Sequence, residues 1–149
     1  MQIRPATRSD IPQLLTLIRR YWEFEGITGF EALRIELLLQ RLLADSAAGA
    51  VWVAESQAAL YGYLIVVLVM SVEHGGLMGE IDEFFVLPEG RSRGTGSRLL
   101  AAAEETLARR GCVRLQLQLG TANTRARAFY GRHGYDPRSG YELYDKPLR

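Results

Sequence analysis

A short segment rich in glycine and arginine constrains the fold of this chain more than any other feature of its sequence. The segment, residues 91–96 (RSRGTG), follows an apolar run at residues 81–87 and leads into a helical pattern that continues to Arg110. Where a strand turns through glycines into a helix, the first N–H groups of the helix have no intrahelical partners. These groups, the helix dipole and the arginines favour a phosphate or a pyrophosphate. The segment therefore predicts a strand, an anion-binding turn and a helix in succession.

The spacing of the glycines excludes two common phosphate-binding motifs. A dinucleotide fingerprint, G-x-G-x-x-G, would have a glycine where this chain has Leu99. A P-loop has a lysine directly after its last glycine, but the one lysine of the chain is Lys146. The remaining pattern, R-x-x-G-x-G, is weak alone because a short Gly/Arg turn often serves only to begin a helix. A second motif, at residues 122–135 (ANTRARAFYGRHGY), gives it more weight.

Together, these two segments resemble the GNAT superfamily of N-acetyltransferases, enzymes that use acetyl-coenzyme A (acetyl-CoA). The first matches the pyrophosphate-binding motif of the family. The second matches its N-x-x-A-x-x-F-Y-x-x-x-G signature at Asn123, Ala126, Phe129, Tyr130 and Gly134. The resemblance is strongest over residues 79–135, and residues 81–86 (IDEFFV) look most like the equivalent strand of the diamine (polyamine) acetyltransferases. It implies an α/β (α+β mixed-sheet) fold, with a mostly antiparallel central sheet, two splayed parallel strands and flanking helices.

Composition and charge agree with one enzyme domain that spans residues 1–149. A hydrophobic content of 48% supports a substantial core, and a net charge of +1 gives no reason to expect nucleic acid or an anionic membrane as a partner. The single cysteine, Cys112, excludes an internal disulfide and fits a reducing compartment. The longest apolar run, residues 64–70, is too short to span a membrane, and the first residues lack the pattern of a signal peptide. We therefore expect a cytoplasmic protein.

Hydrophobic periodicity and turn residues predict the order of the elements. Strands are expected at residues 2–6, 51–55, 60–72, 78–87, 113–119 and 141–146. Helices are expected after residues 9–10, at residues 94–110 and at residues 124–132. A further helix should precede the second strand, with a buried stripe of Leu33, Leu37, Leu38, Leu42 and Leu43. This order predicts a mixed sheet flanked by helices and no second domain.

The resemblance assigns a set of residues to acetyl-CoA. The backbone amides of residues 92–97 would hold the pyrophosphate, with charge from the arginines of the turn. The backbone of residues 84–86 would pair with the pantetheine arm at the splayed strands, and the N–H of Phe85 or Val86 would polarise the thioester carbonyl. Asn123 would bond to the pantetheine, and Ala126 would leave room for it. The full set is Phe84, Phe85, Val86, Arg91, Ser92, Arg93, Gly94, Thr95, Gly96, Ser97, Asn123 and Ala126.

Three side chains are candidates for proton transfer. Tyr130 is the candidate acid, because a phenol with a pKa of about 10 can protonate a thiolate whose conjugate acid has a pKa of about 8.5. Its alternative role is packing in the core. The resemblance implies that Asp82 removes the amine proton through water and that Glu83 contacts a cationic substrate, on opposite faces of the strand. Either carboxylate could instead pair with one of the arginines.

The acceptor is expected to be a primary amine on a small cationic molecule. Besides Asp82 and Glu83, Trp22 and Glu25 are candidate substrate contacts, since aromatic and acidic side chains mix there beside a glycine break. That segment is interpreted either as a mobile loop or as the end of an amphipathic helix. We expect no metal, because the two histidines have no ligands at suitable spacing. The alternatives are a protein or peptide N-acetyltransferase and a non-catalytic acetyl-CoA sensor, and the resemblance allows a homodimer.

Overall fold

The computed structural model describes residues 1–149, except for the side chain of Ser92. It contains two compact units, Met1–Gln118 and Leu119–Arg149. The first unit holds β1 (Gln2–Pro5), α1 (Ile11–Glu25), α2 (Ala32–Ala44), β2 (Gly49–Ser56), β3 (Ala59–Ser71), β4 (Gly76–Val86), α3 (Thr95–Arg109) and β5 (Cys112–Leu117). Short 3-10 helices precede α1 and α3, at Arg8–Asp10 and Pro88–Arg93. The second unit holds α4 (Thr124–Arg132).

The first unit is built on a five-stranded sheet whose strands lie in chain order, from β1 to β5. Neighbouring strands from β1 to β4 are antiparallel, whereas β4 and β5 are parallel. The parallel pairing covers residues 77–81 of β4, although β4 continues beside β3 to Val86. The predicted mixed α/β fold is therefore confirmed, and its two parallel strands are paired along only part of β4.

Apolar side chains cover both faces of the sheet, because alternate residues of a strand point to opposite faces. On one face, the core formed with α1 and α2 includes Val51, Val53, Tyr63 and Ile65. The intervening residues Trp52, Ala54, Leu64 and Val66 are also buried. The helix α3 packs on β2 and β3, and its buried residues include Leu99, Leu100, Ala103 and Leu107. This double packing fixes the position of β4, the strand that carries the candidate site.

The buried face of α2 differs from the predicted stripe. Accessible surface fractions of 69%, 52% and 54% are found for Leu33, Leu37 and Leu38. Ile35 and Leu39 are buried instead, and Leu42 and Leu43 pack against the same core. The prediction is wrong for the first three leucines of the stripe. The helix has apolar residues on two of its faces, so periodicity alone could not select the face that packs on the sheet.

The predicted last strand, at residues 141–146, is wrong. In the described part of the chain, this segment has no strand conformation, and all five strands belong to the first unit. The side chains of Tyr141, Leu143 and Tyr144 are exposed, so the alternation of residue types there buries no face. A strand depends on a neighbour for its backbone hydrogen bonds, and the composition of one segment does not reveal whether a neighbour is present.

Candidate active site

The strand β4 is irregular at Asp82. Adjacent residues of β3 pair with Ile81 and with Glu83, so Asp82 has no partner in β3. The parallel pairing with β5 ends at the same place, because Ile81 is the last paired residue of β4 on that side. An extra residue of this kind is a β-bulge, which bends the strand and redirects a side chain. The predicted placement of Asp82 and Glu83 on opposite faces assumed regular alternation, and the bulge interrupts that alternation.

Beyond the bulge, one edge of β4 has no strand beside it among the residues that the structure describes. The N–H of Leu87 donates to the carbonyl oxygen of Tyr61 in β3 at 2.8 Å. Successive strand residues point their backbone groups to opposite edges, so the N–H and C=O of Val86 point away from β3. The carbonyl oxygen of Val86 accepts a hydrogen bond from Nε of Arg91 at 2.8 Å. Val86, and not Phe85, therefore turns its N–H toward the open edge.

The turn after β4 has the form that the glycine pattern predicts. Gly94 has a φ of +67°, in the left-handed region that favours glycine, and α3 begins at the next residue. The N–H of Arg98 donates to the carbonyl oxygen of Gly94 at 3.0 Å as the first bond of the helix. The helix therefore does not use the N–H groups of Thr95 and Gly96, which fits an anionic ligand at this point. Ser92, another residue predicted to bind the pyrophosphate, has a side chain outside the described part of the chain.

The guanidinium of Arg91 lies over two aromatic rings. Its central carbon is 5.5 Å from the ring centre of Phe24 and 5.7 Å from that of Phe85. These cation–π contacts and the bond to Val86 hold the side chain where the end of α1 meets β4. Arg93, the second arginine predicted to add charge at the pyrophosphate, is exposed. The two arginines of the turn thus have different surroundings.

The carboxylate of Glu83 accepts hydrogen bonds from two other elements of the sheet unit. Nε1 of Trp22, in α1, donates to Oε1 at 2.6 Å, and the hydroxyl of Tyr63, in β3, donates to Oε2 at 2.8 Å. Burial raises the pKa of Glu83 above its ordinary value, the two hydrogen bonds oppose this rise, and the charge of Asp82 adds to it. Trp22 and Glu25 belong to the last turns of α1, so the helical interpretation of that segment is correct and the loop interpretation is wrong.

Asp82 is more exposed than Glu83, and no hydrogen bond of its side chain is found among the described residues. Partial desolvation raises its pKa, and the charge of Glu80 adds to the rise. The phenol of Tyr21, in α1, has a pKa raised to about 12, first by burial and then by the charges of Glu25, Glu83 and Asp82. These shifts indicate a cluster of negative charge where the end of α1 lies near β4.

Sequence reasoning did not identify Tyr63 as a partner of the candidate site. Tyr63 is fully buried in β3 and pairs with Phe85 of β4, yet its hydroxyl reaches Glu83. A tyrosine within an aliphatic strand was the available signal, because a buried phenol nearly always has a hydrogen-bond partner. Its partner could not be read from the sequence, since the register between β3 and β4 was unknown.

In the second unit, Asn123 caps α4 as predicted. Its Oδ1 accepts a hydrogen bond from the N–H of Ala126 at 3.1 Å, which leaves the side-chain NH₂ as its donor for a ligand. Tyr130, the predicted acid, lies in α4 and is half-buried. Its ring packs edgewise against Phe129 and Tyr135, at centroid distances of 5.3 and 5.5 Å.

Cys112 is a half-buried free thiol at the start of β5. Burial raises its pKa, although the charge of Arg110 opposes the rise, so the thiol is not an activated nucleophile. Across the described residues, no three or more His, Cys, Asp or Glu side chains are grouped so that they could hold a metal ion. None of the described helices has the length and apolar character needed to cross a membrane.

Comparison with known proteins gives consistent matches. A family model described as the acetyltransferase (GNAT) family matches residues 11–135. The uncharacterised N-acetyltransferase YhfO of Bacillus subtilis (strain 168) is 29% identical over 148 residues, which cover 97% of this chain and 95% of that protein. An aminoalkylphosphonate N-acetyltransferase of Salmonella typhimurium is 39% identical over 64 residues, which cover 43% of this chain and 42% of that protein.

Solved structures share the fold along nearly the whole chain. An integron cassette protein from the mobile metagenome of Cole Harbour Salt Marsh has a TM-score of 0.87 and 26% identity, and the match covers 99% of this chain and 91% of that chain. The aminoglycoside N-acetyltransferase AAC(6')-Iy, solved in complex with CoA, has a TM-score of 0.84 and 18% identity, with 97% and 93% of the two chains covered. The second likeness is one of fold alone.

Proposed function

The chain belongs to the acetyltransferase (GNAT) family, and from that premise we propose that it acetylates the primary amine of a small cationic molecule. The family gives the coarser activity, which is transfer of an acetyl group from acetyl-CoA to an amine. The observation that carries the finer proposal is the pair of carboxylates, Asp82 and Glu83, at the bulge beside the open edge of β4. Two negative charges at this point would attract an ammonium group and raise its local concentration.

The sheet unit offers acetyl-CoA a strand edge and the start of a helix. The N–H groups of Thr95 and Gly96 suit the pyrophosphate, because α3 does not use them and Gly94 has no side chain to hold the anion away. The C=O of Val86 suits the pantetheine arm, because it faces the edge beyond the end of β5 pairing and has a second lone pair besides the one that accepts from Arg91. When bound, acetyl-CoA supplies the acetyl thioester. The proposed cosubstrate residues of the sheet unit are 84–86 and 91–97, and the family resemblance adds Asn123 and Ala126.

In the proposed reaction, the nitrogen of the neutral amine forms a bond to the acetyl carbon as the bond from that carbon to sulfur breaks. Asp82 accepts the amine proton through a water molecule, since its raised pKa makes it a stronger base than an ordinary aspartate. The N–H of Val86 stabilises the negative charge that develops on the acetyl oxygen. Tyr130 donates its proton to the leaving thiolate, a role that rests on the family resemblance. The products are the acetylated amine and CoA.

One similarity favours a second acceptor class. The relative from Salmonella typhimurium is named for aminoalkylphosphonates, which carry a phosphonate as well as an amine. A phosphonate needs a cationic partner, and Arg91, over Phe24 and Phe85, is the candidate for that role. A protein N-acetyltransferase and an acetyl-CoA sensor remain the alternatives from the sequence, and a sensor would not need a general acid such as Tyr130.

A thiol-release assay with a panel of amines tests this proposal. The panel contains diamines and polyamines, aminoalkylphosphonates, aminoglycosides and peptides with a free N-terminus. We expect the largest kcat/KM for a small cationic amine, and we expect high salt to lower it because charge attraction is screened. A preference for aminoalkylphosphonates or peptides would contradict the proposed acceptor class. Binding of acetyl-CoA without thiol release from any amine would instead support the sensor.

Three further properties expected from the sequence stay predictions: a single domain over residues 1–149, a cytoplasmic location and a homodimer. Sedimentation velocity would measure the assembly state directly. Limited proteolysis would test the single domain, because a chain that unfolds as one domain has no protected fragment that ends near Gln118.

A further inference from the structure

Each oxygen of the Glu83 carboxylate has its own donor, and the two donors come from different elements. Trp22 reaches Oε1 from α1 at 2.6 Å, and Tyr63 reaches Oε2 from β3 at 2.8 Å. Hydrogen bonds to an ionised acceptor are short and about twice as strong as neutral ones. The carboxylate is therefore held in one orientation, while the neighbouring Asp82 has no such partner among the described residues.

We propose that Trp22 and Tyr63 are positioning residues that hold Glu83 as a fixed negative charge and leave Asp82 alone to accept the proton of the amine. This inference rests on the proposed acetylation of an amine. It changes the roles expected from the sequence, because Trp22 becomes a hydrogen-bond donor to Glu83 and not a face for the cation. Glu83 becomes a charge that acts through its effect on Asp82 and on the amine.

Both donors are suited to this role because neither gives up its own proton to the carboxylate of Glu83. An indole has an N–H donor and no acceptor. Burial of Tyr63, followed by the charge of Glu83, raises the pKa of its phenol well above the ordinary value, so the hydroxyl remains a donor at every working pH. The ring of Trp22 also packs edgewise on Phe30 at a centroid distance of 5.7 Å, which supports its orientation.

The titratable groups that act on this carboxylate come from three elements. Tyr63 in β3 and Asp82 in β4 act on it directly, and besides burial its charge, with that of Glu25, raises the pKa of Tyr21 at the end of α1. Besides partial burial, the charge of Glu80, in β4, raises the pKa of Asp82 itself. Arg91 is the nearby cation that the structure describes, over the ring of Phe85. A fixed charge on Glu83 makes ionisation of Asp82 more costly, since two like charges repel. Removing that charge should therefore make Asp82 a weaker base.

The anchoring can be tested without an enzyme assay. The chain has two tryptophans, Trp22 and Trp52, so an ¹⁵N–¹H spectrum contains two indole signals, and Trp22→Phe assigns them. We expect the Trp22 indole proton to lie downfield and to exchange slowly with water, because it is bonded to a carboxylate. Glu83→Gln should shift that signal and leave the Trp52 signal in place. A Trp22 signal that Glu83→Gln does not change would overturn the proposal.

The positioning role is tested by kinetics with the best amine of the panel. Trp22→Phe and Tyr63→Phe should each lower kcat/KM about tenfold, as expected for one hydrogen bond to a charged group. When either change is combined with Glu83→Gln, kcat/KM should fall little further than in the single variants, because the three residues act as one unit. Tyr61→Phe, which removes a hydroxyl from the same strand, is the matched control. Additive losses in the combined variants would overturn the positioning role.

The pH dependence of kcat/KM distinguishes the proposed role of Glu83 as a fixed charge from a role as the base and from a purely structural role. Glu83→Gln should lower kcat/KM by about as much as Trp22→Phe, and it should move the acid limb of kcat/KM to lower pH because Asp82 then ionises more easily. Complete loss of activity would make Glu83 the base, and an unmoved acid limb would make it a structural residue, so either result overturns the proposal. If the wild type acetylates no amine although the indole bond is present, the proposed function itself fails.

Discussion

At the scale of single residues, Asp10 joins the first strands to the start of α1. Its carboxylate accepts two bonds from the guanidinium of Arg4, at 2.8 and 2.9 Å, and one from the N–H of Thr7 at 2.7 Å. Nε of Arg4 also donates to Glu55 at 2.6 Å. The bonds from Arg4 lower the pKa of Asp10 to about 2, although burial opposes the shift. This group of charges stabilises the fold.

We predict that Asp10 contributes stability at neutral pH that disappears in acid. Its pKa is lowered on folding, so the contribution is complete above the unfolded value of about 4 and is lost as the pH falls through about 2. Asp10→Asn should lower the free energy of unfolding by about 2 kcal/mol at pH 7. Urea unfolding across pH measures this difference. The exposed pair of Arg34 and Glu31 is the control, because Glu31→Gln should have almost no effect.

A second residue-scale prediction concerns Thr95, the first residue of α3. Its side chain is fully buried, and its hydroxyl has no hydrogen-bond partner among the described residues. A buried unsatisfied hydroxyl costs about 1–3 kcal/mol, so Thr95→Val should raise the melting temperature by several degrees. Thr106→Val is the matched control, because the Thr106 hydroxyl donates to the carbonyl of Ala102 at 2.8 Å and its loss should destabilise α3. A lower melting temperature for Thr95→Val would refute the prediction.

At the scale of elements, the sequence predicted the features that depend on the conformational preferences of single residues. The glycine turn at the start of α3 and the cap at Asn123 depend on the preferences of single residues, and both were found in the predicted places. The bulge at Asp82 and the bond from Tyr63 to Glu83 could not be predicted. Both depend on the register between β3 and β4, which strand propensity does not contain.

The turn between β2 and β3 is supported by a contact with α1 and lacks the residue types that such a turn favours. Gln57 and Ala58 have φ values of 50° and 61°, although a two-residue hairpin of this kind favours asparagine and glycine. The side chain of Gln13, in α1, donates to the carbonyl of Ala58 at 3.0 Å and accepts from the N–H of Leu60 at 2.9 Å. The hairpin could be located by its flanking strands, but its support from α1 could not.

The glycine turn gives a prediction at the same scale. Gly94→Asp should abolish CoA binding, because its carboxylate would repel the pyrophosphate at the start of α3. Gly94→Asn is the matched control, since asparagine has the same shape without the charge and tolerates the φ of +67°. We expect an intermediate affinity for this variant. Calorimetry with CoA measures both, and wild-type affinity in Gly94→Asp would rule out this binding site.

At the scale of the whole molecule, the overall charge has little influence on the acceptor. The net charge is +1, so attraction of a cationic amine must come from the local carboxylates near the bulge. The same near-neutral charge gives no field that would draw nucleic acid. The proposed activity therefore depends on where a few charges lie, and the proposed acetyl-CoA site depends on the backbone of β4 and α3.

The proposed general acid, Tyr130, lies in the second unit, and its role is tested with the whole chain. Tyr130→Phe should retain the fold and the affinity for CoA while kcat falls about 10²–10⁴-fold, the usual cost of removing a general acid. Tyr135→Phe, a change to the neighbouring ring at 5.5 Å, is the matched control and should retain kcat. Stopped-flow thiol release and calorimetry measure the two quantities. Turnover within about twofold of the wild type would leave Tyr130 with a packing role.

The pH dependence of kcat/KM for Asp82→Asn with a small cationic amine tests the central claim most directly. A carboxylate base is needed most where the amine is protonated, and its raised pKa places its titration nearer to neutral pH than for an ordinary aspartate. We predict a loss of about 100-fold or more at acid to neutral pH and a smaller loss at alkaline pH, where free amine is abundant. A pH profile equal to that of the wild type would contradict both the role of Asp82 and the cationic acceptor.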